Sequence, residues 1–177
     1  MTTGYPPVVF RAWRAEDAAA ALAVYGVDHS PELERVADIA GMRALLRQWE
    51  SEERPPPTGR WAIQRDGRVV GGAVVLPLPP GNEDLEIGWH PHPDVRGDDE
   101  LAGEVTFALA TWAFRHDIDE VFTVVRPEDG REAPAIRGNG MSWVGETRKY
   151  FDRDLRVFRL RAADLDRLAP EGQRPPA

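Results

Sequence analysis

Hydrophobic and polar residues alternate with two different periods along this chain, and each change of period marks an element. Residues 8–13 read as a short strand. Residues 15–25 are Ala-rich with Glu16 and Asp17 in the first turn, which predicts a helix. Ser30-Pro31-Glu32 reads as an N-cap with proline at the first helical position, opening a helix to about Ile39. A third helix is expected after Gly41, where Met42, Leu45, Leu46 and Trp49 recur at helical spacing; Pro55-Pro56-Pro57 stops it. The pattern then turns to strands. Residues 61–64 and 68–76 flank Asp66-Gly67, a two-residue hairpin signal, and the second, long and apolar, belongs at the centre of a sheet. After a turn cluster at 77–82, residues 84–90 alternate, with Leu85, Ile87 and Trp89 on one side.

A loop at 91–99 leads into a helix over about 100–116, whose apolar face is Leu101, Val105, Ala108, Leu109, Trp112 and Ala113. Residues 120–125 predict a buried strand. Residues 129–139 are helix-like in position but poor in helix formers, and 143–150 with 155–160 predict a closing antiparallel pair. Residues 162–168 read as a final helical turn. The order predicts an α/β (α+β) fold, with helices on both faces of a central mixed, mostly antiparallel sheet. A single domain is expected over 8–168, between loose tails at 1–7 and 169–177.

Composition narrows the chemistry. The 177 residues include no cysteine, which removes disulfides, a thiolate nucleophile and Cys-based metal sites. Thirty acidic and 22 basic residues give a net charge of −8. That balance argues against a phosphate-backbone binder, so no nucleic acid is expected as partner. The basic residues are 21 Arg and one lysine, Lys149. The longest apolar run, 69–78, is broken by Gly71, Gly72 and Pro77 and is too short for a bilayer, so no membrane is expected either. The opening MTTGYPP lacks the basic start and apolar stretch of a signal peptide, and a cytoplasmic location follows as the expectation.

Several fragments fall in an order and spacing that point to one family. They are Phe10-Arg11-Ala12-Trp13-Arg14-Ala15-Glu16-Asp17, Trp61-Ala62-Ile63 through Gly71-Gly72, and Asp84-Leu85-Glu86-Ile87-Gly88-Trp89 followed by His92-Pro93-Asp94. Ala110-Thr111-Trp112-Ala113-Phe114, Val125-Arg126-Pro127-Glu128 and Gly140 through Thr147 complete the set. Over residues 8–163 the chain resembles the GNAT superfamily of acyl-CoA N-acyltransferases. The branch it is most similar to includes ribosomal-protein N-terminal acetyltransferases.

The resemblance implies the GNAT fold, acetyl-CoA as cosubstrate, and a primary amine of a small molecule or peptide as acceptor. It also allows a homodimer, since dimers are common among related proteins. In such enzymes the pantetheine arm lies between the fourth and fifth strands, and the pyrophosphate rests on N–H groups opening the central helix. Carried onto this chain, Glu86 is the candidate base and His90 a candidate proton carrier. Backbone groups near Trp89 would polarise the thioester, and Arg96, Gly97, Asp98, Leu101, Ala102 and Asp129 would meet the cofactor. Trp49 would line the acceptor cleft, and Glu132, three residues from Asp129, would hold a cationic group.

His90-Pro91-His92-Pro93-Asp94 also invites a metal reading, but the prolines distort strand alternation and no metal is assigned.

Three departures from the family pattern fall on the cofactor side. The phosphate loop lacks its second glycine and carries Asp98, Asp99 and Glu100, whose carboxylates repel a diphosphate. Pro91 removes one N–H donor at the strand end. Asp129 and Glu132 stand where Asn and Ser are usual, in a segment weakened by Pro134 and Gly138. A degenerate cofactor motif is therefore expected on a conventional scaffold, and Asp98 or Asp99 is expected to cap the helix.

Overall fold

The computed structural model describes residues 7–26, 36–127 and 140–168. Seven strands run in the order β1-β2-β3-β4-β5-β7-β6. They are β1 (Val9–Arg11), β2 (Gly59–Arg65), β3 (Arg68–Pro77), β4 (Leu85–Pro91), β5 (Glu120–Val125), β6 (Ser142–Thr147) and β7 (Leu155–Arg161). β4 and β5 pair in parallel. β1–β2, β5–β7 and β6–β7 are antiparallel. The helices are α1 (Ala18–Tyr25), α2 (Ile39–Ser51) and α3 (Asp99–Phe114). The β2–β3 turn is the hairpin the sequence predicts: Asp66 and Gly67 take φ of 51° and 76°, the left-handed pair that matches strand twist.

The chain forms two compact units. The first contains α1, α2, β1, most of β2, the first half of β3 and the end of β4. Its core is Trp13, Ala18, Ala21, Val24, Tyr25, Met42, Leu46 and Ala62. α1 is short and starts later than its periodicity predicts. Residues Ala15–Asp17 form a 3-10 turn instead, because the Asp17 carboxylate accepts from Arg14 N and from both ends of the Arg11 guanidinium. α2 starts earlier than predicted. Asp38 accepts from Gly41 N at 2.7 Å, so Ile39 and Ala40 belong to its first turn. Most of the helix expected from Ser30 lies outside the described residues.

The second unit contains α3, β5, β6, β7, the end of β3 and the start of β4. α3 buries Leu101, Ala102, Val105, Thr106, Leu109, Ala110 and Ala113. Each large aliphatic so buried contributes roughly 1.5–3 kcal/mol. This stripe is rotated from the predicted one. Trp112 is 40% exposed, since its indole N–H donates to the Pro57 carbonyl at 2.9 Å and draws the ring to the flank. A smaller apolar cluster in this unit joins Leu78, Phe122, Tyr150, Leu155 and Val157. β6 ends at Thr147, three residues short of prediction. The Thr147 hydroxyl accepts from Lys149 N and turns the chain there.

Candidate active site

Glu86 stands on β4 at the residue that pairs with Phe122 of β5. One residue on, the Thr123 hydroxyl donates to the Ile87 carbonyl at 2.6 Å, so a side chain takes a strand carbonyl beside the paired residue. Leu85 and Ile87 are buried on the opposite side of β4. Glu86 is half-buried and shares a strand face with Gly88 by alternation, and Asp84 lies in the bend just before β4.

Asp84 is bound closely. The Tyr150 hydroxyl donates to its Oδ2 at 2.7 Å, and the Lys149 ammonium meets the same oxygen. Lys149, then Tyr150, holds the Asp84 carboxyl below its ordinary range, working against partial burial. Burial, and then its hydrogen bond to the Asp84 carboxylate, pushes the Tyr150 hydroxyl up. Lys149 is raised by the same carboxylate.

In the first unit, Trp49 and His90 are brought to one aromatic array by Tyr25. Tyr25 meets Trp49 edge-on at 5.6 Å between ring centres, His90 at 5.2 Å and Trp13 at 5.8 Å. The Arg60 guanidinium sits over Trp49, 5.0 Å from its ring centre. Burial pushes the Tyr25 hydroxyl well up. That hydroxyl and the Trp13 indole N–H face each other without hydrogen-bond alignment. The Tyr25 hydroxyl occupies the space a Cβ on Gly72 would need, 2.0 Å away. Trp89 lies against Gly71, whose missing Cβ lets the His90 carbonyl approach. Pro91 ends β4, and His92 N donates to Val70 O at 2.8 Å. His92 Nδ1 accepts from Asp94 N within its own turn.

The segment expected to hold the pyrophosphate runs from Arg96 into α3. Gly97 has φ +84°, with open space where a Cβ would stand. Asp98 is the N-cap: its Oδ1 accepts from Leu101 N at 2.9 Å. One donor at the helix N-terminus is thus bound to an internal carboxylate. Leu101 and Ala102 are buried beneath it. Asp129 and Glu132 lie outside the described residues. Among the described residues no group of three His, Asp or Glu is placed to hold a metal ion, and no helix is long and apolar enough to cross a membrane.

Sequence reasoning missed Tyr25, Thr123, Lys149 and Tyr150. Lys149 alone carried a signal, as the chain's one lysine.

A mixed seven-stranded sheet whose parallel β4–β5 pair is joined through a helix defines an acetyltransferase scaffold, the GNAT fold. Residues 8–142 match the acetyltransferase (GNAT) domain, and the chain belongs to that family. Solved structures agree on the fold. A GNAT-family acetyltransferase from Bacillus anthracis is 16% identical, with a TM-score of 0.67, covering 89% of this chain and 96% of that one. AAC(6')-Ib, in complex with paromomycin and acetyl-CoA, is 14% identical with a TM-score of 0.67, covering 94% and 99%. A chimera of the spermidine N-acetyltransferase SpeG from Vibrio cholerae is 11% identical with a TM-score of 0.66, covering 90% and 98%. No curated protein matches the chain.

Proposed function

We propose that this protein is an acyl-CoA-dependent N-acyltransferase that uses acetyl-CoA to acetylate a primary amine of a small molecule or peptide. The observation that carries the reading is Glu86, half-buried on β4 at the parallel contact with Phe122, in a chain of this family. Acetyl-CoA supplies the activated acyl group. The amine arrives as an ammonium and must lose a proton before nitrogen attacks, and Glu86 accepts it directly or through water. Backbone N–H groups near Trp89 and His90 steady the carbonyl oxygen as negative charge grows there. The C–N bond forms as the C–S bond breaks; the first proton passes from Glu86 to solvent, and the second, shed by nitrogen after attack, goes to the departing thiolate.

The acceptor is a cationic amine, in keeping with the charge of −8. Either a small-molecule amine or a peptide N-terminus serves as acceptor, and the protein acts in the cytoplasm, as a homodimer. The test combines acetyl-CoA with spermidine, paromomycin or alaninamide and follows thiol release. Glu86→Gln is expected to lower kcat by roughly 10²–10⁴, with acetyl-CoA binding unchanged. An equal loss of cofactor binding would remove Glu86 from the base role.

A second reading has its own observation. The Asp98 carboxylate already holds Leu101 N–H, and Asp99 and Glu100 follow in the same turn. On this reading the fold has given up ordinary CoA binding and serves as a binding module or in other chemistry. Calorimetry with acetyl-CoA separates the two. No heat at millimolar acetyl-CoA, with binding recovered in the Asp98→Asn, Asp99→Asn, Glu100→Gln variant, would favour the second.

A further inference from the structure

The connection between β6 and β7, residues 148–154, folds back over the sheet. Tyr150 packs with Leu78, Phe122, Leu155 and Val157, and Phe122 is the β5 partner of Glu86. Parallel partners project to the same face, and Asp84, in the bend just before β4, is brought there by Tyr150, which packs with Phe122. On that face the Tyr150 hydroxyl donates to Asp84 Oδ2 at 2.7 Å, and the Lys149 ammonium closes on the same oxygen. Lys149 Nζ also lies 5.1 Å from the Tyr150 ring centre. Two residues of the loop and one in the bend before β4 thus form a single fastening.

The turn that follows is strained. Phe151 and Asp152 have φ of 54° and 49° in succession, a region where a bulky side chain is rare. Such a conformation persists only where surrounding contacts impose it. Within the loop, the Arg148 pairs with Asp152 and Asp154 are long and exposed and hold little. The bond from Arg153 N to Tyr150 O is 3.3 Å. Asp84 supplies the charged tie to β4.

We propose that Asp84 is a positioning residue for the acceptor. Through Tyr150 and Lys149 it latches loop 148–154 across the face that carries Glu86. The loop is then a fixed wall that orients the incoming primary amine toward that carboxylate. The role in catalysis rests on the acyltransferase reading; the latch itself does not.

Two measurements on the full chain decide it. Amide hydrogen exchange is read over 148–154 in the native protein and in Asp84→Asn, Tyr150→Phe and Lys149→Gln. Exchange is expected to quicken roughly tenfold in Asp84→Asn, with smaller increases in the other two. Kinetics use acetyl-CoA and whichever of spermidine, paromomycin and alaninamide turns over fastest. Asp84→Asn is expected to raise the KM for that amine roughly tenfold with kcat within about twofold, the reverse of the split for Glu86→Gln. Lys149→Arg, which keeps the cation, restores native values where Lys149→Gln does not. If Asp84→Asn fails to fold, Tyr150→Phe carries the test, because it removes one hydroxyl and leaves the ring packed. Unchanged exchange overturns the latch. Faster exchange with an unchanged KM overturns its role toward the acceptor. A native protein that turns over none of the amines fails the acyltransferase reading, and exchange alone then decides the latch.

Discussion

Asp17 shows how a single carboxylate sets the start of the chain's first helix. Both its oxygens take the Arg11 guanidinium, at 2.7 and 2.8 Å, and it also accepts from Arg14 N. Arg11, foremost through these hydrogen bonds, holds its carboxyl below the ordinary aspartate range. A carboxyl so depressed contributes fully above the ordinary value of about 4 and loses its contribution as pH falls through the folded value. Asp17→Asn is expected to cost about 1–3 kcal/mol near neutrality and to flatten the fall in stability at acid pH, as read by urea melts across pH 2–6.

Tyr25 predicts the opposite sign. Its hydroxyl is buried without an aligned partner, so Tyr25→Phe is expected to leave stability unchanged or raise it by up to about 1 kcal/mol. A loss above that in the same melts would show that the hydroxyl is satisfied after all. The sequence displays Asp17 in the first turn of a helix over 15–25, but not that its carboxylate would hold Arg11 and Arg14 N and delay that helix to Ala18. Tyr25 carries no such mark: its neighbours Trp49 and His90 are 24 and 65 positions away, and only folding joins them.

At the scale of elements, local signals were legible where the responsible atoms are close in sequence. Asp66-Gly67 encodes its own turn, and Asp98 caps α3 three residues on. Trp112 was misassigned because its partner, Pro57, is 55 residues away. The strand pattern runs past the end of β6 because it shows neither the turn that Thr147 makes with Lys149 N nor the tie of Tyr150 to Asp84, 66 residues distant. Periodicity reports apolar content along a helix or strand, and it is silent on which flank a long-range hydrogen bond will claim.

Asp98 also predicts two effects of opposite sign. Asp98→Ala is expected to destabilise the protein by about 0.5–2 kcal/mol through the lost cap. The same change frees Leu101 N–H and removes a negative charge, so affinity for acetyl-CoA is expected to rise. Thermal melts and calorimetry on one preparation check both, and a fall in affinity would mean that the cap shapes the cofactor site instead of blocking it.

For the whole molecule, the ordered succession of fragments was the readable part. It resembled the GNAT family, and the strand order and the family match agree with that. The acceptor was not readable, because it depends on which side chains the loops present, and those loops hold long-range contacts. Net charge acts at this scale too. A chain at −8 repels an anionic cosubstrate through a field that salt screens within about 10 Å at 0.1 M. Acetyl-CoA affinity is therefore expected to strengthen, by roughly two- to fivefold, as sodium chloride rises from about 20 to 200 mM. Weakening over that range, followed by calorimetry, would show that local arginines outweigh the net charge.

The fit of the Tyr25 hydroxyl into the gap at Gly72 has an evolutionary consequence. A methyl group at residue 72 would fall 2.0 Å from that oxygen and 2.6 Å from the ring carbon bearing it. A lineage can therefore change residue 72 only after residue 25 has become smaller. Once residue 72 has gained a side chain, tyrosine cannot return at residue 25. The order of change is therefore fixed in both directions: residue 25 must shrink before 72 gains a side chain, and 72 must return to glycine before tyrosine can return at 25. Among descendants of this chain, glycine at 72 should accompany tyrosine at 25 without exception, while a small residue at 25 leaves 72 free to drift.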